Sequence, residues 1–450
     1  MKRLLAAFSA AILVWAQPAA AQSVLRDAET EAMFADMMQP LAKAAGLQPR
    51  DVKVVLLQDP EINAFTAGGQ TIYVNSGLLQ AADNANQVQG VLAHELGHVA
   101  DGHVILGDAG MKPAMGISIL SMVLGIAAIA AGGGEAGAGI LAAGQQAALG
   151  KYLAFSRVQE ATADATGLKF LTESGITGKG MLTFFKKLQN EEYYWGATEK
   201  IDPFMQSHPL SRERIAALEH DATTSVAWGK TPDTALEERF RRIRAKLEGY
   251  VQPPERTLRD YPPGDQSIYA HYARAYAYHK GGFPEKADAE SAALIRARPD
   301  DPYFQEVRGQ ILLEAGKPAE ALAPLKAATE GSRYSPLIAT TYGHALIATE
   351  DKTNYPEAMR ILRTAVARDD DNPFAWYQLG TVYELTGDEA RAALATAERA
   401  SMTGDSRTAA QSARFALAGL PANTADWIRA QDIAMTEGDA LCAKNKKRCR

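Results

Sequence analysis

His94 and His98 stand four residues apart in VLAHELGHVADGH, residues 91–103. On a helix that spacing puts both imidazoles on one face, a turn apart, so both can reach one tetrahedral Zn2+ at about 2.0–2.1 Å. Glu95, beside the first histidine, then points to where a metal-bound water would sit, and it can take that water's proton and pass it to a leaving amine. This is the HExxH arrangement of zinc peptidases. Such a site needs a third ligand. His103 is the nearest histidine, but metzincin spacing would put that ligand six residues after His98, where Val104 stands. His103 is therefore assigned a structural or surface role. The stretch SRVQEATADATG, 156–167, offers a carboxylate instead. Glu160 and Asp164 share one helical face, flanked by Ala161, Ala163 and Ala165, which permit close helix packing. Glu160 is read as the ligand and Asp164 as the group holding a histidine by its other ring nitrogen. On their own these two acids would read as a solvated face paired with Arg157.

The elements that must position these residues can be sketched. Residues 24–46 carry an amphipathic helical pattern, and VKVVLLQ at 52–58 reads as a buried strand. NAFTAGGQTIYVNSGLL, 63–79, reads as a hairpin turning at Gly68-Gly69 and then becoming helical. A protease holds its substrate extended, and an edge strand does so by adding the peptide to its sheet. Thr71, Ile72, Tyr73 and Val74, within QTIYVN, are the candidate edge; the alternative is a plain core hairpin. The HExxH helix is expected from about Asn84 to about Asp108, with Asn84 and Gln87 as a capping box. Residues 116–144 open on sixteen apolar or small residues, followed by a Gly-rich break. That run is short of the roughly 20 needed to span a bilayer, so the segment is expected to be a membrane-dipping hairpin or a buried lid over the active site.

Past YVQPPERTLRDYPPGD, 250–265, the texture changes. Pro302 and Pro336 are 34 apart, as are Gly309 and Gly343, and Pro373 and Gly380 repeat the offset after a short insertion. WYQLGTVY, with Trp376, Leu379, Gly380 and Tyr383, matches the tetratricopeptide pattern. Each copy reads as a helical hairpin in which glycine lets paired helices approach. Pro284, Pro318 and Pro356 mark second-helix starts, where a missing N–H costs nothing.

The ends of the chain bear on location. Residues 1–21 have Lys2 and Arg3, an apolar run and a small-residue cleavage site, the parts of a secretory signal. Export would place Cys442 and Cys449, its two cysteines, where they can close a small loop. A net charge of −6 argues against nucleic acid as a general partner.

Taken in order, NAFTAGGQTIYVNSGLL, HELGH, SRVQEATAD and SHPLSRERI (207–215) resemble the HtpX and CAAX-prenyl-protease type of zinc metallopeptidase. With the signal and the repeat array, the chain is similar to the BepA-like periplasmic proteases. The resemblance implies a mostly α protein: an α+β gluzincin-like domain with a small sheet (22–250), a Pro-rich linker (251–264), a tetratricopeptide solenoid (265–430) and a basic tail with the cysteine pair (431–450). It implies one Zn2+ per chain on His94, His98 and Glu160, with Glu95 as base, and His208 as a fourth ligand that closes the resting site. It further implies action in the periplasm on stalled or misfolded outer-membrane proteins, docking on the β-barrel assembly machinery and peripheral membrane contact. Two function classes follow, an endopeptidase and a chaperone for outer-membrane β-barrels with rare cleavage. Glu95 favours the first, because a purely structural zinc has no use for a base beside its ligand.

Overall fold

The computed structural model describes residues 23–130, 134–195 and 208–444. The signal segment and Cys449 lie outside them, and the side chain of Cys442 is likewise outside what is described. The chain divides into two compact units. One holds the described residues up to Leu25 together with Phe34–Glu237; the other holds Arg26–Met33 and the described residues from Glu238 onward. The stretch 251–264, expected to be a linker, carries a short helix, Pro254–Asp260, and the division falls upstream of it.

In the first unit, β1 (Ser23–Leu25), β2 (Lys53–Gln58), β3 (Ala64–Thr66) and β4 (Thr71–Asn75) form one sheet in the order β1-β2-β4-β3. The β3–β4 hairpin pairs Phe65 with Tyr73, and Gly68 and Gly69 at its turn take φ of +85° and +61°, values open to glycine at no steric cost. Thr71–Val74 are not an edge, contrary to expectation. Strand β4 runs parallel to β2, Lys53 opposite Thr71, and antiparallel to β3, so both its sides are bonded. The chain between β2 and β4 is long enough to reverse twice, which lays β4 beside β2 and leaves β3, like β1, at an edge of the sheet among the described residues.

The helices are α1 (Ala28–Ala44, whose start up to Met33 belongs to the other unit), α2 (Ser76–Ala81), α3 (Ala85–Ala100), α4 (His103–Ala130), α5 (Gly134–Glu173), α6 (Lys179–Trp195) and α7 (Arg212–Thr224), of which α2 and α3 lie against the sheet. Helix α3 starts at Asn84, whose side chain accepts from the Gln87 N–H at 3.0 Å, while the Gln87 side chain accepts from the Asp83 N–H. It stops at Ala100, short of the expected Asp108, because Gly102 turns the chain with φ +68°. Helices α4 and α5 form an antiparallel hairpin. Small residues line much of its seam, with Ser121 against Gly144, while Gly125 makes room for the Leu141 side chain. Ile119, Leu120, Met122, Val123 and Ile126 point outward, each more than half exposed. That exposed apolar face of residues 119–126 does not fit a buried lid. Among the described residues no helix is long and apolar enough to cross a membrane.

The second unit is a tetratricopeptide-type array. After α8 (Thr234–Val251) and α9 (Pro254–Asp260), hairpins follow in series: α10 (Ile268–Lys280) with α11 (Pro284–Ala297), α12 (Pro302–Glu314) with α13 (Pro318–Gly331), α14 (Pro336–Ala348) with α15 (Tyr355–Arg368), α16 (Pro373–Leu385) with α17 (Glu389–Met402), and α18 (Ser406–Gly419) with α19 (Ala425–Lys444). Prolines occupy first-turn positions of the helices from α11 to α16. The recurring glycine acts as read: a Cβ at Gly309 would lie 2.4 Å from Leu325, and one at Gly343 would lie 2.6 Å from Leu362. Part of the expected basic tail, up to Lys444, belongs to α19.

Candidate metal centre

Helix α3 buries Val88, Val91, Leu92 and Leu96 and carries its two histidines on the face turned to α5. The crossing is tight because of glycines. A Cβ at Gly97 would sit 2.7 Å from the Ala163 carbonyl oxygen, and one at Gly167 would sit 2.7 Å from that of Ala93. Of the alanines expected to allow this approach, Ala163 is at the contact, whereas Ala161 and Ala165 are exposed.

The structure brings His94, His98, Glu160 and His208 together, all buried, each offering one ligand atom. His94 Nε2 lies 3.2 Å from His98 Nε2 and 3.3 Å from His208 Nδ1. Glu160 lies 3.4 Å from His94 Nε2 and from His98 Nε2, and 3.1 Å from His208 Nδ1. Ligands held tetrahedrally at about 2.0–2.1 Å from a zinc are themselves about 3.3 Å apart. The spacing fits such an ion.

Charge in the pocket follows from burial and from what each group faces. Burial would push Glu160 up, but His208 beside it and the bonds from His208, His94 and His98 outweigh this and hold the carboxylate far below its usual range. Burial likewise drives His98 down to about 4, so its ring is neutral and free to ligate at neutral pH. Burial also lowers His94, yet Asp164 and Glu160 overcome it and raise the imidazole to about 10. Asp164 Oδ1 lies 2.9 Å from His94 Nδ1, and the half-buried His103 places its Nδ1 3.0 Å from His98 Nδ1. Each histidine of the pair thus meets a neighbour at its far nitrogen.

Glu95 stands apart. It is fully buried, and neither of its carboxylate oxygens has a hydrogen-bond partner. Burial raises its pKa, only partly offset by His208 and His94. A buried acid that accepts no hydrogen bond is costly, and this one lies beside the ligand group, 3.5 Å from His208 Nε2.

A peptidase family M48 model matches residues 28–222. The beta-barrel assembly-enhancing protease of Escherichia coli (strain K12) is 26% identical over 374 residues, covering 81% of this chain and 71% of that protein. Metalloprotease LoiP of the same organism is 35% identical over 188 residues, 40% of this chain and 68% of that one. Metalloprotease YcaL is 31% identical over 192 residues, 42% and 69%. The chain belongs to peptidase family M48. It is a metalloprotease, and the four-residue group is the place its metal fits.

Within this M48 domain, sequence reasoning missed three things that the structure supplies. The free edge nearest the site is β3, whose Ala64 carbonyl oxygen lies 3.3 Å from His208 Nε2. The glycines at the α3–α5 crossing carry no local signal, because the flanking alanines alone would permit close approach. Arg214 was also missed; it follows His208 by six residues in SHPLSRERI, and nothing in that spacing points to α5.

Proposed function

We propose that this chain is a zinc endopeptidase of the periplasm that cleaves misfolded or stalled outer-membrane β-barrel proteins, with the repeat array docking substrate or the assembly machinery. The observation that carries the reading is the buried four-residue ligand group beside Glu95, whose carboxylate accepts no hydrogen bond. One zinc per chain, held by His94, His98 and Glu160, would polarise a scissile carbonyl and acidify a water. Glu95 takes that water's proton and returns it to the leaving amine. Asp164 keeps His94 oriented. An extended peptide adds to the free edge of β3, in place of the Thr71–Val74 strand expected from sequence.

His208 is read as the resting-state fourth ligand. That role is supported by its two nitrogens, one turned to the ligand group and the other to the Ala64 carbonyl on the edge a substrate would pair with. A substrate strand therefore has to displace it, and His208→Ala should raise proteolysis. Periplasmic location is supported by the signal-like residues 1–21 and by the relatives' β-barrel assembly. Peripheral membrane contact is supported by the α4–α5 hairpin, which keeps small residues in its seam and turns large apolar ones outward, the arrangement of helices packed within lipid.

A second reading, a chaperone for β-barrel assembly with rare cleavage, draws on the word "assembly-enhancing" in the name of the 26% identical relative. Incubation with an outer-membrane β-barrel protein, unfolded or folded in detergent, separates the two. The expected result is cleavage of the unfolded form, faster with His208→Ala and absent with Glu95→Gln. Faster folding without cleavage by any of the three chains would favour the chaperone.

A further inference from the structure

Arg214 is almost fully buried, and its guanidinium reaches three places at once. Nε and Nη2 donate to the two oxygens of Asp164 at 2.7 and 2.8 Å. Nη1 lies 3.0 Å from Glu160 Oε2 and donates at 2.8 Å to the carbonyl oxygen of Pro209, the residue that follows His208. Its backbone is fixed too, because Ser211 caps α7 by accepting from the Arg214 N–H. One rigid, planar fork thus binds the carboxylate that ligates, the carboxylate that orients His94, and the backbone next to the ligand supplied by the loop. Lysine, a point charge with no fork, cannot span these three.

We propose that Arg214 is a positioning residue that ties the seating of His208 to the carboxylates holding the other ligands. The bond to Pro209 fixes the backbone from which His208 projects, and the same nitrogen steadies Glu160. Moving His208 out of the site therefore pulls on Arg214, and through it on Glu160 and Asp164. A buried ion pair that only stabilised α7 against α5 would satisfy Asp164 and have no need of the Pro209 carbonyl.

The inference rests on the reading of His94, His98, Glu160 and His208 as one metal site. Its test measures how fast zinc passes from the purified full-length chain to an excess of a coloured chelator, so it needs no turnover. The four chains compared are wild type, Arg214→Lys, His208→Ala and the double variant. Lysine keeps a cation beside Asp164, so the fold is retained, and thermal melting of each chain checks that it is. Arg214→Lys is expected to speed release about tenfold, the low end for groups that support metal ligands. In the His208→Ala background the same change should be worth less than about threefold, because the ligand it seats is already gone. A tenfold effect in both backgrounds overturns the proposal by showing that Arg214 acts on Glu160 and Asp164 alone. No effect in either background overturns it as well, leaving only a structural ion pair. A wild-type chain that holds no zinc would sink the reading of the site itself, and the two failures are told apart by that first measurement.

Discussion

Each unit buries a cluster of ionisable side chains, and the two clusters are built on opposite terms. In the repeat unit, Glu29 accepts from Arg242 Nε at 2.7 Å and from the Tyr272 hydroxyl at 2.8 Å. Asp27 accepts from the Thr30 N–H and pairs with Lys246, while the other arm of Arg242 reaches Asp301. Those acids have cations and donors to match them. In the M48 unit, three imidazoles and Glu160 crowd round one point, and Glu95 beside them accepts no hydrogen bond and has only His208 Nε2 within ion-pair reach, at 3.5 Å. Burial is common to both. What separates a structural cluster from a chemical one is whether the buried groups are already satisfied by each other.

Breaking the first cluster should cost the most. Arg242→Ala leaves the buried Glu29 carboxylate with only Lys246 as a cation, whose Nζ is 3.8 Å away, and about 3–5 kcal/mol of unfolding free energy is expected to be lost in denaturant melts of the full chain. Protease activity per folded molecule should stay unchanged, since Arg242 touches none of the ligands. Asp164→Asn does the reverse in the other cluster. Losing the charge behind His94 should weaken zinc binding by about 10–100-fold in chelator competition. Replacing the first cluster's pair by apolar residues, Glu29→Leu with Arg242→Met, should cost far less than Arg242→Ala alone. A double variant as unstable as the single one would show that the ion pair, not the volume it fills, holds Arg26–Met33 in place.

The smallest effect sharpens the contrast by pH. Glu306 is the ill-matched member of the repeat unit: burial raises its carboxyl to about 7, with Asp27 and Glu29 adding to the rise and Lys246 opposing it. One of its oxygens has no partner. The unfolded chain gives up this proton near the ordinary value of 4.5, while the folded chain keeps it until about 7. Rising pH through that window therefore favours unfolding. Glu306→Gln should match wild type in melts at pH 4 and exceed it at pH 8. Equal curves at both would mean that the carboxyl is not protonated in the fold.

Much of this was legible in the chain, for identifiable reasons. HELGH puts two ligands and an acid on one turn of helix, a pattern that local geometry alone makes meaningful. The 34-residue offset of Pro302 and Pro336, and of Gly309 and Gly343, exposes the array because each copy solves the same packing problem. Features that depend on distant pairing were hidden. Whether Thr71–Val74 is an edge is decided by β2, and no local pattern records that. Glu29 and Arg242 are more than two hundred residues apart in sequence, and Arg214 reaches back fifty residues to Asp164. Gly102, which ends α3 early and turns His103 back against His98, was readable as a break but lay inside an otherwise helical run.

Glu95 is proposed as the base of a one-zinc peptidase site. Zinc content and casein cleavage, measured together on wild type and Glu95→Gln, test it most directly. About one zinc is expected in both chains, with cleavage by the variant slower by at least about a hundredfold. Equal cleavage by the two chains, or a wild type that cleaves without zinc, would contradict it.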